Sequence, residues 1–314
     1  MTIFLFYLYK HYDILCIELK GKRLKRKFQY SVLDIITFYV SYFFYKLIIP
    51  FEVRKPRWKL WIYEWIYSLA KFIDYNNSVS WKHPIDTIWT KFGIFKIRIN
   101  TSDAANVSPA FERRDQNYLI QLISRLISSG KRVLFLDIGA DLGSYSVLVA
   151  NKFKNKQIAI KTFEPISESC ALIEENIKKN SIEDYVSIYP FALANENNDN
   201  STMELNCDTP GSSTMKKGSE IKVKKQIHIK TKKLDDILYK ETGDFDSIIF
   251  KIDVEGMEKE VILGSQKIIE SKKEIYLMVE DFIDPEIIDY LHKSKWDFIR
   301  KVTSYNSWWF FKAQ

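Results

Sequence analysis

Two short stretches hold residue types whose spacing could do chemistry. The first is VLFLDIGADLGSYS, Val133 to Ser146. An apolar run ends at Asp137, Gly139 and Gly143 follow four apart, and a helical pattern starts near Ser144. Glycines there let the backbone bend tightly and come close to a ligand. The opening helix aims its first amide groups at that ligand. The second stretch is KIDVEGMEK, where Asp253, Glu255 and Glu258 crowd around Gly256. A carboxylate near a hydroxyl can take its proton as the oxygen attacks. Asp253 or Glu255 is expected to accept the proton, with Glu258 or Glu280 orienting. Gly256 permits a tight turn and a helix starting at Met257, and Glu255 and Glu258 share a face if both are helical. Two alternatives stay open. The four carboxylates could hold a divalent cation through oxygen ligands, and Glu258 could simply favour a helix N-terminus.

The glycine turn is selective about its ligand. Counted from Gly139, a dinucleotide fingerprint needs glycines at 141 and 144, where this chain has Asp141 and Ser144. A phosphate loop of the form G-x-x-x-x-G-K-[ST] is absent. A carboxylate beside the turn suits a cation better than a pyrophosphate. The spacing fits Asp-x-Gly-x-x-x-Gly, the turn that holds S-adenosylmethionine, an ammonium and sulfonium compound, in Rossmann-like methyltransferases. Glu164 in KTFEP ends the next apolar run, 27 residues after Asp137. A carboxylate at that point can accept hydrogen bonds from both hydroxyls of a ribose. The plain alternative is an ordinary strand-end residue.

These groups need a scaffold. Apolar runs at 133–137, 158–163, 186–191, 247–253 and 275–280 alternate with helical patterns, which predicts a mainly parallel sheet with helices on both faces. Residues 92–100 alternate like a strand. Residues 114–128 read as a helix with Leu119, Leu122, Ile123, Leu126 and Ile127 on its apolar side. Trp308 to Phe311 read as a final core strand. Residues 199–233 are polar with short alternating runs, an inserted hairpin or loop. Within them GSSTM, Gly211 to Met215, offers hydroxyls to an acceptor, or is plain surface.

Composition adds exclusions. The chain has 314 residues with three scattered cysteines and four scattered histidines. That excludes a disulfide scaffold and argues against a Cys- or His-based metal centre, so no metal is expected, and it suits a reducing compartment. Residues 1–75 carry 13 Lys and Arg against 6 Asp and Glu, so the whole net charge of +7 lies there, along with 21 of the 47 aromatic residues. The remainder is electrically balanced. The division expected is a basic aromatic helical extension at 1–75, a strand and helix lead-in at 76–130, and a catalytic domain at 131–314. In the extension, Trp58, Trp61, Ile62, Trp65, Ile66, Leu69 and Phe72 recur at helical spacing, and basic clusters flank an interrupted apolar run at 32–51. Lys and Arg near an anionic leaflet contribute about 1 kcal/mol each. The expectation is peripheral contact with the inner face of the cytoplasmic membrane by a cytoplasmic protein; a packed cap or dimer contact, and a true span, are the alternatives.

The stretches FLDIGADLGSYS, KTFEPISESCALIEENIKKN, PFALAN, a Lys-Leu-Asp-Asp-Ile-Leu run, and IIFKIDVEGMEKEVILGSQKII followed by IYLMVEDF come in a recognisable order. In them the chain resembles the FkbM-like family of S-adenosylmethionine-dependent methyltransferases, over roughly residues 92–312. The resemblance implies a Rossmann-like class I methyltransferase fold, an α/β protein with a mostly parallel seven-stranded sheet and helices on both faces. It implies S-adenosylmethionine as cofactor. Asp137, Gly139, Ala140, Asp141 and Gly143 would line its methionine moiety, Glu164 would hold the ribose, and Phe191 and Ala192 would sit near the adenine. Asp253 would face the methyl group and its acceptor. Asp141 departs from the Asn or other polar residue common in the family, and is expected to tune affinity for the methionine end. The implied reaction is O-methylation of a glycan, lipid-linked sugar or related hydroxyl compound. A pI ≈ 9.0 invites a nucleic-acid methyltransferase instead. Against that, the positive charge lies outside the catalytic domain, and Asp253-Val254-Glu255-Gly256 stands where amino-methylating enzymes usually carry [DN]-P-P-[YF]. No nucleic-acid partner is expected. A non-catalytic protein keeping the fold is the third reading.

Overall fold

The computed structural model describes residues 87–90, 93–98, 113–154, 156–207, 210–215, 224–271, 273–281, 286–303 and 306–312. Residues 1–75 and the expectations attached to them lie outside the described residues. Among the described residues no helix is long and apolar enough to cross a membrane.

Among the described residues the first elements form an antiparallel ribbon, β1 (Thr87–Thr90) and β2 (Gly93–Lys96). Helix α1 (Arg113–Ser128) follows, burying Leu119, Leu122, Ile123 and Leu126. Then come β3 (Val133–Ile138), α2 (Ser144–Phe153), β4 (Ile158–Phe163), α3 (Ser167–Asn180) and β5 (Val186–Tyr189). After an inserted segment, β9 (Ser247–Ile252), α5 (Glu258–Leu263), α6 (Gln266–Ile269), β10 (Glu274–Glu280), α7 (Glu286–Lys293), β11 (Asp297–Lys301) and β12 (Asn306–Lys312) complete the fold. The insert holds β6 (Ala192–Leu193), β7 (Asn198–Asn206) and β8 (Lys224–Lys232), and leads into a short α4 (Leu234–Leu238).

Seven strands form one sheet in the order β11-β12-β10-β9-β3-β4-β5. The pairs β10–β9, β9–β3, β3–β4 and β4–β5 are parallel, and β12 runs antiparallel to both of its neighbours. This is the class I methyltransferase architecture. Its cause is in the sequence: β3 and β9 are buried at every position, because both faces are covered, and each strand is therefore a mostly apolar run, broken only by Asp137 in β3 and by Ser247 and Lys251 in β9. Trp308 and Trp309 of β12 are fully buried, so the aromatic C-terminal run is core.

One boundary differs from the sequence reading, and the insert takes the hairpin form, one of the two expected of it. The run 186–191 leaves the main sheet at Tyr189, and Ala192–Leu193 joins a separate three-stranded sheet, β6-β8-β7. Residues 199–233 form the antiparallel pair β7–β8, with Met203 and Ile229 packed on Ile166. The hairpin thus has an apolar underside that rests beside Ile166, just beyond the end of β4.

The ribbon strand β2 is held by an unusual device. Asn176 and Asn180, one turn apart on α3, do for β2 what a neighbouring strand would do. Asn176 accepts from the Lys96 amide at 2.5 Å and donates to its carbonyl at 3.1 Å. Asn180 accepts from the Ile94 amide at 3.0 Å and donates to its carbonyl at 2.6 Å. Asn176 also donates to the Leu142 carbonyl at 2.9 Å, so the same side chain ties β2 to the glycine turn.

Candidate active site

The turn after β3 is built around close backbone approach. Gly139 has φ +71, and a Cβ on it would lie 1.8 Å from the Asp253 carbonyl oxygen. Only glycine fits, and the turn from β3 therefore rests directly on the loop after β9. Gly143, φ 77, precedes α2. Asp137 is buried beneath the turn. Its Oδ2 accepts from the Ser146 amide at 3.0 Å and the Ser146 hydroxyl at 2.6 Å. Burial pushes its carboxyl above the ordinary carboxylate range, while Lys251 and Ser146 pull it down. Asp137, Ala140 and Gly143 shape the turn from below; Gly139 and Asp141 face the cleft.

Glu164 stands one residue past β4 and is buried. One carboxylate oxygen accepts from the Asp141 amide at 2.9 Å and the other from the Ile166 amide at 2.9 Å. Burial first, then the Asp141 charge, pushes its carboxyl up to about 7; the two amides and Arg98 act the other way. Asp141, at φ 52, does not stand alone as a carboxylate. Arg98, two residues beyond β2, grips it with both terminal guanidinium nitrogens, one of them at 3.0 Å, and also donates to the Ser169 hydroxyl at 2.7 Å. Sequence reading took Arg98 for one polar position of an alternating strand and did not find this pair.

The loop after β9 carries the acceptor-side carboxylates. Asp253 is partly exposed and lies 3.2 Å from the Lys251 ammonium. Carboxylate oxygens of Asp253, Glu255 and Glu280 lie within 4.8 Å of one another. Burial, then the charges of Asp253 and Glu255, pushes the Glu280 carboxyl far above the ordinary carboxylate range. Glu255 is not helical: its φ is 57, and α5 begins only at Glu258. The shared helical face expected for Glu255 and Glu258 is therefore not formed. Glu258 turns inward, 1% exposed, and accepts from the amides of Val254 at 3.2 Å and Gly256 at 3.1 Å. It braces the loop that displays Asp253 and Glu255 and does not line the cleft.

Lys251 is the second residue that sequence reading missed. It sits inside β9, 4% exposed. Its ammonium donates to the Gly139 carbonyl at 2.7 Å and lies 3.7 Å from Asp137. With Asp253 on its third side, it joins the donor turn to the acceptor loop. The two carboxylates beside this buried lysine offset part of its desolvation penalty. Lys251 thus already serves Asp253 with positive charge.

The cleft between these parts is open to solvent, and the space inside it that a water-sized body can occupy is about 60 Å³. Gly139, Asp141, Glu164 and Asp253 form its polar side. Ile166, Phe191 and Ala192 form an apolar side that the insert extends with Met203 and Met215. The hydroxyls of GSSTM are largely used within the protein. Ser213 donates to the Pro210 carbonyl at 2.7 Å and accepts from the Asn206 amide at 3.0 Å. Thr214 donates to the Glu255 carbonyl at 2.5 Å, fastening the insert to the acceptor loop.

A family model described as the methyltransferase FkbM domain matches residues 137–301. No curated protein matches the sequence. Among solved structures, the chain is similar to methyltransferase FkbM from Methylobacillus flagellatus KT, at 14% identity over 56% of this chain and 42% of that one, with a TM-score of 0.37. It is also similar to a methyltransferase from Geobacter sulfurreducens, at 10% identity over 63% and 79%, TM-score 0.37. A third is the Pyrococcus abyssi tRNA (uracil-54, C5)-methyltransferase in complex with S-adenosyl-L-homocysteine, at 11% identity over 72% and 43%, TM-score 0.36. The chain spans less than half the length of the first and third of these.

Proposed function

The chain belongs to the FkbM methyltransferase family, and from that premise we propose that it transfers a methyl group from S-adenosylmethionine to a hydroxyl of a glycan, lipid-linked sugar or related small molecule. One observation carries the reading. The neighbouring strands β9, β3 and β4 each deliver one residue just beyond the strand's carboxyl end, Asp253, Gly139 and Glu164, and all three line a single cleft. Ligands of open α/β sheets bind at that edge.

The lining suits this cofactor. Carboxylates at 141, 164 and 253 favour a cationic compound, and the wall of Ile166, Phe191 and Met203 favours a flat base. Glu164 would hold the ribose and the backbone around Gly139 the methionine end. When bound, the cofactor supplies a methyl group activated by its sulfonium. The chain aligns the acceptor and handles its proton. Asp253, held by Lys251, accepts that proton, with the Glu280 carboxyl beside it. Glu258 braces the loop. The basic, aromatic residues 1–75 support an acceptor at an anionic membrane face.

Glu164 gives the test. In the unliganded protein its carboxyl is raised from 4.5 to about 7. A raised carboxyl means that the folded state binds the extra proton, so this contribution to stability is complete below 4.5 and is lost as pH climbs through 7. The loss amounts to about 3 kcal/mol. Ribose hydroxyls and a sulfonium both prefer the ionised carboxylate. Cofactor affinity should therefore rise with pH up to about 7, by as much as about tenfold per unit, and level off above it. Calorimetry with S-adenosylmethionine across that range reads the slope. Glu164→Gln should weaken binding about 10–100-fold, flatten the slope and remove the pH-dependent loss of stability. Binding by the variant at the wild-type level would remove Glu164 from the site.

A further inference from the structure

A second cavity lies at the far end of the sheet from the cleft. It opens between α6, the end of α7 and β12, and a water-sized body can occupy about 240 Å³ of it. Phe311, in its lining, pairs with Ile275 at the start of β10, whereas Glu280, beside the acceptor loop, ends the same strand. Five residues of strand, about 16 Å, separate the two ends. The floor is Trp296 and Phe311, with ring centroids 5.3 Å apart. Trp296 is 5% exposed. A buried indole N–H normally has an acceptor. Trp308 donates to Asp115 at 3.1 Å, and Trp309 to the Ser307 hydroxyl at 2.9 Å. Among the described residues nothing accepts from the Trp296 indole, and its nitrogen is not sealed off from open space. The open space that Trp296 lines is this cavity.

Two ammonium groups share the lining. Lys293 and Lys295 both border the cavity, and neither forms an ion pair among the described residues. Lys295 is an unfavourable residue for the backbone it occupies. Helix α7 ends in a Schellman cap, in which the Trp296 amide donates to the Leu291 carbonyl at 3.1 Å and the Lys295 amide to the His292 carbonyl at 3.3 Å. Lys295 has φ 62, at the position where such caps usually carry glycine. The lysine lowers stability there and brings a positive charge to the cavity. We propose that this cavity is a second binding site, for a small phosphorylated sugar. The Trp296 N–H and the two ammonium groups take the phosphate. The apolar faces of Trp296 and Phe311 take the sugar ring. Glu270 and the amide oxygen of Gln266, whose nitrogen is taken by the Ile262 carbonyl at 3.1 Å, take its hydroxyls. A carboxylate in the lining disfavours a ligand that is anionic all round, and the volume lies below the roughly 300–1,000 Å³ of pockets for larger ligands. The site stands apart from the cleft and does not depend on what the cleft binds.

Glucose 6-phosphate is the probe, with glucose and inorganic phosphate as its separate parts. In a proton–nitrogen correlation spectrum of the full chain, glucose 6-phosphate should move one indole signal, the one that Trp296→Phe deletes. Each part alone should bind at least about tenfold more weakly. By calorimetry, Trp296→Phe, Lys293→Met and Lys295→Gly should each weaken glucose 6-phosphate about 3–10-fold. Lys295→Gly should at the same time raise the urea midpoint, since glycine suits the left-handed backbone. Weaker binding by a more stable protein cannot come from misfolding. If Trp296→Phe does not fold, the two lysine variants carry the test. Wild-type affinity in both lysine variants would overturn the proposal. So would a Trp296 signal that stays in place up to about 10 mM glucose 6-phosphate, or inorganic phosphate that binds as tightly as the sugar phosphate. S-adenosylmethionine affinity should stay within about twofold of wild type in all three variants, so failure here leaves the reading of the cleft intact.

Discussion

Asp253→Asn is expected to lower turnover by about 10²–10⁴-fold while cofactor affinity stays within about threefold of wild type. The asparagine keeps the shape of the side chain but gives up the lone-pair basicity that an attacking hydroxyl needs. Asp253 is the right group to lose because of its setting. It projects from the end of β9 with its side chain 40% exposed, open to an acceptor, and Lys251 fixes it from behind at 3.2 Å. Glu255→Gln should do less harm, since its main-chain carbonyl, which receives Thr214, survives the change. Transfer of a labelled methyl group from S-adenosylmethionine into fractionated glycans and lipids would first find the acceptor and then give the rates. An Asp253→Asn protein that methylates at the normal rate would dismiss the assigned base.

Lys251→Met is expected to lower stability by about 3–5 kcal/mol, read as a shift in the urea midpoint at constant slope. Removing one partner of a buried ion pair leaves the other charge uncompensated, and here that partner is Asp137, 1% exposed. Its Oδ1 has no hydrogen-bond partner in the fold, so the ammonium 3.7 Å away is its main compensation. The deficit should grow with pH, because an acid medium lets Asp137 take a proton and shed its charge. Adding Asp137→Asn to Lys251→Met should recover a large part of the loss, since both charges then disappear together. Additive losses in the double variant would mean that the two side chains do not stabilise each other.

The parts of this fold that were legible in the sequence are those whose physics is local. The buried strands β3, β4, β9 and β10 announce themselves as mostly apolar runs, because a polar side chain there needs a partner close by, as Asp137 and Lys251 have. The glycine turn is legible because a positive φ and a backbone contact at Gly139 demand one residue type. Glu164 and Asp253 were found because each follows such a run by a single step. Lys251 was missed for the same reason in reverse. A lysine inside an apolar run reads as an interruption, and only its meeting with Asp137 and Gly139, more than a hundred positions earlier, and with Asp253 two residues on explains it. Arg98 was hidden by alternation, which says that a side chain points away from its neighbours but not what waits there. Its partner is 43 residues further on. The inward turn of Glu258 depends on Glu255 adopting φ 57, a conformation that spacing rules written for helices do not anticipate.

The asparagine pair on α3 has one more consequence. Because side-chain amides and not sheet hydrogen bonds hold β2, the lead-in is an appliqué on the catalytic body. It could peel away without breaking a rung of the seven-stranded ladder. What would leave with it is the guanidinium, so clipping the chain between β2 and α1 should leave the seven-stranded sheet paired and take from Asp141 the charge that grips it.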